Sequence, residues 1–365
     1  MANLNYTGLK EPKMKKKLQL FVILAFVCTL LSAQPPAGYY DSAFGKKKEA
    51  LKTAMKEIIR PHQQRTYADL WGDFQITDKK ENGKVWDMYS DCTFTFVSKQ
   101  CGNYKEICDC YNREHSMPAS WFNDGYPMYT DLFHLYPTDG KVNGYRSNYP
   151  FGETNGTKYG TGKLGSSTFP GYTGRVFEPA DEYKGDFART YFYMVTCYED
   201  NVTSWTDIEA KQMLNATKYP SFQPWAINLL LKWSRNDKVS SKEINRNNAV
   251  FEIQENRNPF IDYPQLAEYI WGDSINYVFD PTKSMAVKRT EITPPIVYVA
   301  DAVLHIENIT NESVIQIYNV YGQLIIKTPP VINNYDISLI KEQLYIIRII
   351  DSAGNIYTYK TFNKL

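Results

Sequence analysis

The sequence predicts an α+β protein in which a mixed, mainly helical domain precedes a small all-β sandwich. Several segments before residue 282 carry apolar residues at helical spacing, whereas the chain after residue 300 is rich in Ile, Val and Tyr in alternating order. Pro281, Pro294 and Pro295 stand between the two patterns, and a length of 365 residues suits about two domains. We therefore predict a first domain at residues 35–282, a linker at 283–300 and the sandwich at 301–365.

The chain begins with a segment typical of a secretory signal peptide. Three lysines at 15–17 precede an apolar run at residues 18–31, and the sequence Ser-Ala-Gln follows at 32–34. The run is short for a membrane span, so a membrane anchor is the weaker alternative. We predict a signal peptide at residues 1–34. Met14 is a second candidate start, which would make residues 1–13 an upstream extension, and we expect no stable membrane insertion.

The charge balance excludes some classes of protein. The chain carries 41 Lys+Arg and 40 Asp+Glu, a net charge of +1, and it is neither disordered, collagen-like nor histone-like in composition. Removing the five Lys and one Glu of residues 1–34 leaves 36 basic and 39 acidic residues, a net charge of −3. This balance argues against a uniformly basic nucleic-acid groove. Any contact with phosphates has to rest on a local patch and a metal ion.

The cysteines suit an oxidising compartment. Cys28 lies in the predicted signal, and five remain. We predict up to two disulfides and one leftover thiol. A zinc site is the alternative, because three of these cysteines cluster near a histidine, but their spacing is not that of a standard finger. The five are Cys92, Cys101, Cys108, Cys110 and Cys197.

Local patterns predict the elements of the first domain. Apolar residues at helical spacing predict an amphipathic helix at residues 46–59, which Pro61 closes. Alternation with Thr and Phe predicts a strand at 86–97. Residues 187–198 predict a buried helix or strand, and residues 223–233 and 264–271 predict helices. The long stretch at 104–174, rich in Gly, Asn, Pro and Tyr, predicts short elements and a functional loop region.

The residues that suggest chemistry lie at 111–153. Glu114 and His115 are adjacent, so on a strand their side chains point to opposite sides, one toward a metal and one toward substrate. Asn143 and Asn148 flank Arg146 in a polar stretch that could open a helix. Carboxylate and amide oxygens suit Mg²⁺, a neutral His can deprotonate water, and Arg can grip a phosphate. The set suits metal-assisted attack of water on a phosphodiester.

Each of these residues also has a structural interpretation. A Glu-His pair is common, and Arg146 could form an ion pair. His134 fits a core histidine bonded to Asp131 or to a backbone group better than it fits a metal ligand, so we place both behind the site. The zinc-protease pattern H-E-x-x-H is absent from the sequence.

Four blocks resemble the bacterial endonuclease I family of secreted nucleases. They are "YNREHSMPASWF", "DLFHLYPTDGKVNGYRSNYPFG", "FEPADEYKGDFARTYFYM" and "NRNPFIDYPQLAEYIW", in family order over about residues 45–275. The resemblance implies a ββα-metal, or His-Me finger, nuclease core. It also implies hydrolysis of DNA, with RNA as a further substrate, and little sequence preference.

The resemblance also implies roles for individual residues. His115 matches the general base, Glu114 a residue that helps hold the metal, and Asn143 the metal ligand on the finger helix, with Asn148 as second choice. The implied cofactor is one Mg²⁺, with Mn²⁺ or Ca²⁺ as substitutes. Some relatives carry an Arg in a Cys-containing loop, but residues 116–130 hold none here, so Arg146 or Arg113 has to stabilise the phosphate. The predicted phosphate-binding patch comprises Arg113, Lys141, Arg146 and Arg257.

The C-terminal segment resembles the sorting domain of cargo for the bacterial type IX secretion system. The resemblance rests on "IQIYNVYGQLIIKT" and on the later strand pattern that ends near Lys364. It implies the type IX machinery as a partner and a secreted or cell-surface location reached through the periplasm. We expect a monomer. The alternative function is a secreted surface glycan- or protein-binding protein with an inactive nuclease-like core.

Overall fold

The computed structural model describes residues 35–281 and, further along, 295–301, 303–309, 312–332, 334–338, 343–351 and 356–363. The chain divides into two compact units between Pro281 and Thr282, and each is described separately. The predicted signal peptide at 1–34 lies outside the described residues, as does most of the predicted linker. The end of the linker prediction is wrong, because Ile296–Ala300 forms a strand.

The first unit is built mainly of helices around one large apolar core. The unit also contains short 3-10 helices, at Asp41–Ala43, Ala119–Phe122, Met128–Thr130 and Asp181–Tyr183. The helices are α1 (Lys48–Ile59), α2 (Leu70–Thr77), α3 (Gly140–Arg146), α4 (Lys184–Cys197), α5 (Glu199–Val202), α6 (Ala210–Met213), α7 (Pro224–Asn236), α8 (Ser241–Gln254), α9 (Pro259–Asp262) and α10 (Leu266–Ile270).

Helix α4 is the centre of this core. Every residue from Gly185 to Cys197 is buried, and α4 packs against α1 and α7. The predicted helices at 46–59, 223–233 and 264–271 are confirmed with slightly different ends, and residues 187–198 resolve as helix. Helix α8 begins with a capping box, in which Ser240 and Glu243 each accept a bond from the other's backbone N–H.

Two small sheets complete the first unit. Strands β1 (Tyr111–His115) and β2 (Leu135–Asp139) form an antiparallel pair in which Glu114 lies opposite Tyr136. Helix α3 follows β2 directly, and its N-cap Asp139 accepts bonds from the backbone N–H groups of Lys141 and Val142. Strands β3 (Thr157–Tyr159), β4 (Gly162–Ser166) and β5 (Arg175–Glu178) form the other sheet. The α+β class is confirmed.

The predicted strand at 86–97 is wrong, because this segment is an irregular loop that the Cys92–Cys108 disulfide ties to a later part of the chain. Its alternating apolar residues pack in a small separate cluster, where Val85, Phe94 and Tyr111 are buried together. The disulfide bonds are Cys92–Cys108 and Cys101–Cys110, and Cys197 is a buried free thiol. Two disulfides and one leftover thiol are therefore confirmed. The zinc alternative is wrong, because the clustered sulfurs are bonded to one another.

A buried arginine joins α3 to the end of β1. Arg146 is 1% exposed, and its Nη1 donates to the carbonyl oxygens of His115, at 3.1 Å, and Ser147, at 3.2 Å. Its Nη2 donates to the carbonyl oxygen of Ser116 and reaches the Tyr191 hydroxyl on α4 at 3.4 Å. Because the guanidinium is planar and always charged, it fixes strand, helix and core in one arrangement.

A buried carboxyl group ties the long loop to the start of α3. Asp87 is almost fully buried, and its Oδ1 accepts bonds from the backbone N–H groups of Tyr89, at 2.8 Å, and Asp139, at 3.1 Å. Burial raises the pKa of Asp87 to about 7, although these bonds favour the ionised form.

The second unit is a sandwich of two antiparallel sheets. Its strands are β6 (Ile296–Ala300), β7 (Val303–Glu307), β8 (Ser313–Tyr318), β9 (Leu324–Lys327), β10 (Tyr335–Ser338), β11 (Gln343–Asp351) and β12 (Ile356–Asn363). One sheet has the order β10-β7-β6 and the other β12-β11-β8-β9. Both contribute to one core, with Leu304 and Ile306 from the first sheet and Ile315, Ile317 and Ile347 from the second.

Across the described ranges, no helix has both the length and the apolar character that a membrane crossing requires.

Replacing Arg146 should destabilise the first unit strongly. Arg146→Ala leaves Glu114 buried without its counter-ion and several carbonyl groups without a donor, so we expect a loss of about 3–5 kcal/mol in unfolding free energy. Urea denaturation would measure it. Arg175→Ala, at an exposed position, is the matched control and should change stability by less than about 0.5 kcal/mol. Equal effects of the two variants would contradict the assigned role.

Replacing Asp87 should change how stability depends on pH. The folded-state pKa of Asp87 lies above its unfolded value, so the folded state binds the proton more tightly. This contribution is present below about pH 4 and is lost as pH rises to about 7. Asp87→Asn keeps a carbonyl acceptor and removes the titration. The stability of the variant relative to wild type should rise over this window by on the order of 4 kcal/mol, measured by denaturation at each pH. A difference that is constant with pH would exclude this role.

Candidate active site

Glu114 occupies a buried position on the face of β1 that meets α3. The residue is 2% exposed, its Oε1 accepts a 2.7 Å bond from the Tyr89 hydroxyl, and the same oxygen lies 3.3 Å from Arg146 Nη1. Burial raises the pKa of Glu114 to about 7, while Arg146 and Tyr89 oppose that rise. Both contacts involve Oε1. Oε2 makes no hydrogen bond to the described residues and is the oxygen available to a ligand.

His115 ends β1 with its ring on the opposite side from Glu114. Its Nε2 lies 3.0 Å from the Tyr129 carbonyl oxygen. Because a carbonyl only accepts, this contact places the ring proton on Nε2 and leaves the lone pair on Nδ1. Burial, together with the nearby His134 and Arg113, lowers the pKa of His115 to about 3. The imidazole is therefore neutral at neutral pH.

Asn143 is brought to the Glu114 side of the hairpin. It lies in α3, and its Nδ2 donates a 2.9 Å bond to Asn112 Oδ1. Asn112 and Glu114 are two residues apart on β1, so their side chains share one face. Asn143 Oδ1 is left as an acceptor. Asn148, the second choice, lies beyond the end of α3 and is exposed, with no side-chain bond to the other three residues.

The four predicted phosphate-binding cations differ in how deeply they are buried. Arg113 and Lys141 are partly exposed. Arg146 is buried and bonded as described above. Arg257 is 2% exposed and forms a two-pronged pair with Asp262, at 2.7 Å from both Nε and Nη2. The structure thus differs from the expectation for Arg146 and Arg257, because both guanidinium groups are occupied inside the protein.

Asp131 and His134, which the sequence predicts to lie behind the site, are both buried. His134 is fully buried, its Nε2 contacts the Met128 carbonyl oxygen at 2.6 Å, and its ring centroid lies 5.5 Å from that of His115. The His134 backbone N–H donates a 3.3 Å bond to the Asp131 carbonyl oxygen. The Asp131 carboxylate makes no hydrogen bond to the His134 ring within the described residues. It accepts bonds from the hydroxyl groups of Tyr193 and Tyr198, at 2.8 and 2.6 Å.

The donor set on the Glu114 face fits a hard divalent cation. Glu114 Oε2 and Asn143 Oδ1 are uncommitted oxygens, the ligand type that Mg²⁺ prefers. Another group of ligand-type atoms, Cys92, Cys108 and Asp139, is already satisfied. The two sulfurs form a disulfide, and Asp139 Oδ2 accepts a 2.6 Å bond from the Cys108 N–H. The Glu114 face is the better candidate.

Several residues of this site were not predicted from the sequence. Asn112 could have been found by counting two residues back from Glu114 along a strand. Tyr89 and the Tyr129 carbonyl have no such signal, because Tyr89 lies in the loop at 86–97 and Tyr129 in the short helix Met128–Thr130, both outside strand β1.

Comparisons with known proteins show which family the chain resembles. A family model described as Endonuclease I matches residues 47–265. The chain is 36% identical over 240 residues to an extracellular ribonuclease of Bacillus amyloliquefaciens, covering 64% of this chain and 78% of the relative. It is 33% identical over 257 residues to an extracellular ribonuclease of Bacillus subtilis (strain 168), covering 67% and 84%. A periplasmic deoxyribonuclease of Aeromonas hydrophila is 28% identical over 135 residues, covering 37% and 48%.

The family match contains the whole strand–strand–helix unit with Glu114, His115 and Asn143. It stops before the second unit. Family membership also favours hydrolysis over the alternative of a glycan-binding protein with an inactive core. The chain belongs to the Endonuclease I family and is a nuclease that hydrolyses phosphodiester bonds.

Proposed function

We propose that this protein is a secreted, metal-dependent endonuclease that cuts DNA, and RNA as well, with little sequence preference. The observation that carries the proposal is the placement of Glu114, His115 and Asn143 on one strand–strand–helix unit. The names of its relatives, which include extracellular ribonucleases and a periplasmic deoxyribonuclease, support both substrates and secretion.

His115 is the proposed general base. Its Nε2 proton is held by the Tyr129 carbonyl, so Nδ1 accepts a proton from water. The resulting hydroxide attacks phosphorus, and the 3′ oxygen leaves. The ring cannot turn freely, because it packs against Tyr129 at a centroid distance of 4.8 Å. Fixed orientation of the base is what this step requires.

Glu114 and Asn143 are the proposed metal ligands. Tyr89 and Arg146 hold Glu114 through Oε1, so Oε2 keeps one position, and Asn112 orients the Asn143 amide. When bound, Mg²⁺ neutralises the charge that develops on the phosphate and on the leaving oxygen. Arg146 is a positioning residue in this scheme, because both of its Nη groups are bonded inside the protein and its Nε is buried.

Arg113 is the proposed phosphate contact, with Lys141 as a second cation. Nη1 of Arg113 donates a 2.7 Å bond to the Tyr67 carbonyl oxygen, and the other guanidinium nitrogens make no hydrogen bond in the described part of the chain. Arg113 and His115 are two residues apart on β1, so both side chains project from the same face of the strand. Contacts to phosphate alone carry no sequence information, which accounts for the expected indifference to sequence.

The second unit is proposed as a sorting domain for the type IX secretion machinery. This proposal rests on the sequence resemblance. Fusing residues 282–365 to a periplasmic reporter in a host that has the machinery would test it, and retention of the reporter in the periplasm would count against it.

His115→Ala should abolish digestion. Loss of a general base lowers kcat by about 100- to 10,000-fold. The measurement is digestion of plasmid DNA and, in parallel, of single-stranded RNA in Mg²⁺. EDTA on the wild-type protein is the metal control. His305→Ala, in the second unit, is the matched histidine control and should retain activity. Digestion that survives both EDTA and His115→Ala would refute the proposed site.

Asn143→Ala and Arg113→Ala should fail in different ways. Asn143→Ala removes a metal ligand, so it should raise the Mg²⁺ concentration for half-maximal rate by about 10- to 100-fold. Arg113→Ala should raise KM for nucleic acid and leave that Mg²⁺ concentration unchanged. Asn148→Ala is the matched control for Asn143. Metal titrations at saturating substrate measure the first effect, and the reverse pattern would overturn the assignment.

A further inference from the structure

Three tyrosines next to His115 form a continuous aromatic surface. The Tyr129 ring centroid lies 4.8 Å from those of both His115 and Tyr67, with interplanar angles of 28° and 32°. Tyr126 extends the row, with its centroid 5.5 Å from that of Tyr129. We call Tyr67, Tyr126 and Tyr129 the aromatic ladder. It begins at the proposed general base and leads to solvent.

The ladder is presented to solvent by a well-held loop. Tyr126 is 52% exposed, and Tyr129 is its one aromatic neighbour within the described ranges. The preceding residues Asn123 and Asp124 both adopt the left-handed conformation, with φ of 56° and 53°. Their N–H groups bond to the carbonyl oxygens of Ser120 and Ala119, so the turn is fixed before any ligand arrives. Core packing does not require a tyrosine this exposed on so constrained a loop.

A cation packs against Tyr67, at the end of the ladder opposite the exposed Tyr126. The Arg113 guanidinium carbon is 3.5 Å from the centroid of Tyr67 and 4.3 Å from that of Trp71. Its remaining N–H groups are free within the described residues, as noted above. Exposed aromatic faces beside an arginine are the combination that proteins use to bind unpaired bases and the phosphates between them.

We propose that the aromatic ladder stacks unpaired bases next to the bond being cut, which makes single-stranded nucleic acid the preferred substrate. In a duplex each base is stacked on its neighbours, so its π-face is not available to Tyr126 or Tyr129. In a single strand the faces are free, and stacking on tyrosine is tolerant of sequence. The inference rests on the proposed function and names its substrate class.

The test compares single and double strands on variants of Tyr126. The substrate is a 5′-labelled mixed-sequence strand, made as DNA and as RNA, and presented alone or annealed to its complement. For Tyr126→Ser we expect the ratio of kcat/KM on single strand to kcat/KM on duplex to fall by about 5- to 100-fold. Tyr126→Phe keeps the ring and should keep the ratio. Tyr277→Ser, at another exposed tyrosine, is the matched control for loss of a surface ring.

Binding measurements separate this inference from the proposed mechanism. Fluorescence anisotropy in EDTA, where no hydrolysis is expected, should show weaker binding of the single strand by Tyr126→Ser and unchanged binding by Tyr126→Phe. An equal loss on single strand and duplex, an unchanged ratio, or the same loss in Tyr277→Ser would overturn the inference. If His115→Ala cuts normally while the Tyr126 binding effect persists, the proposed mechanism fails and the ladder stands. Comparing the DNA and RNA arms shows which single strand it favours.

Discussion

The active-site geometry depends on the buried guanidinium of Arg146. One planar cation contacts two consecutive carbonyl groups at the end of β1, a carboxylate on the same strand and a hydroxyl on the central helix α4. Removing a charge from water is expensive, and only this full set of partners offsets the cost. The consequence is that the hairpin and α3 cannot shift relative to each other without unpairing a buried charge.

The strand alternation then divides the work between two faces. Glu114 lies among Tyr89 and Arg146, which keep a carboxylate in place where burial disfavours its charge. His115 lies among aromatic rings, where burial keeps the imidazole neutral. Two adjacent residues thus have opposite environments. The metal-holding and proton-accepting functions can be tuned separately.

Local patterns predicted the helices and the adjacent Glu114–His115 pair, because periodicity and neighbouring residues are properties of a short segment. They did not predict the burial of Arg146 or Arg257, since their partners are backbone groups or side chains placed by the fold. The strand prediction at 86–97 is wrong for a related reason. Alternation there reflects packing onto Tyr111, whereas the disulfides and Asp87 decide the path of the chain. The aromatic ladder joins Tyr67 to Tyr129, which are far apart in sequence.

The burial of Cys197, which forms no disulfide, affects how the disulfides of this protein form. Cys197 is fully buried in α4, and burial raises the pKa of its thiol well above the usual range. Disulfide exchange requires an accessible thiolate, and here neither access nor ionisation is available. Once α4 has packed, this sulfur is withheld from the two native disulfides and from other chains. An oxidising environment can then complete the correct pairs without producing covalent dimers through Cys197.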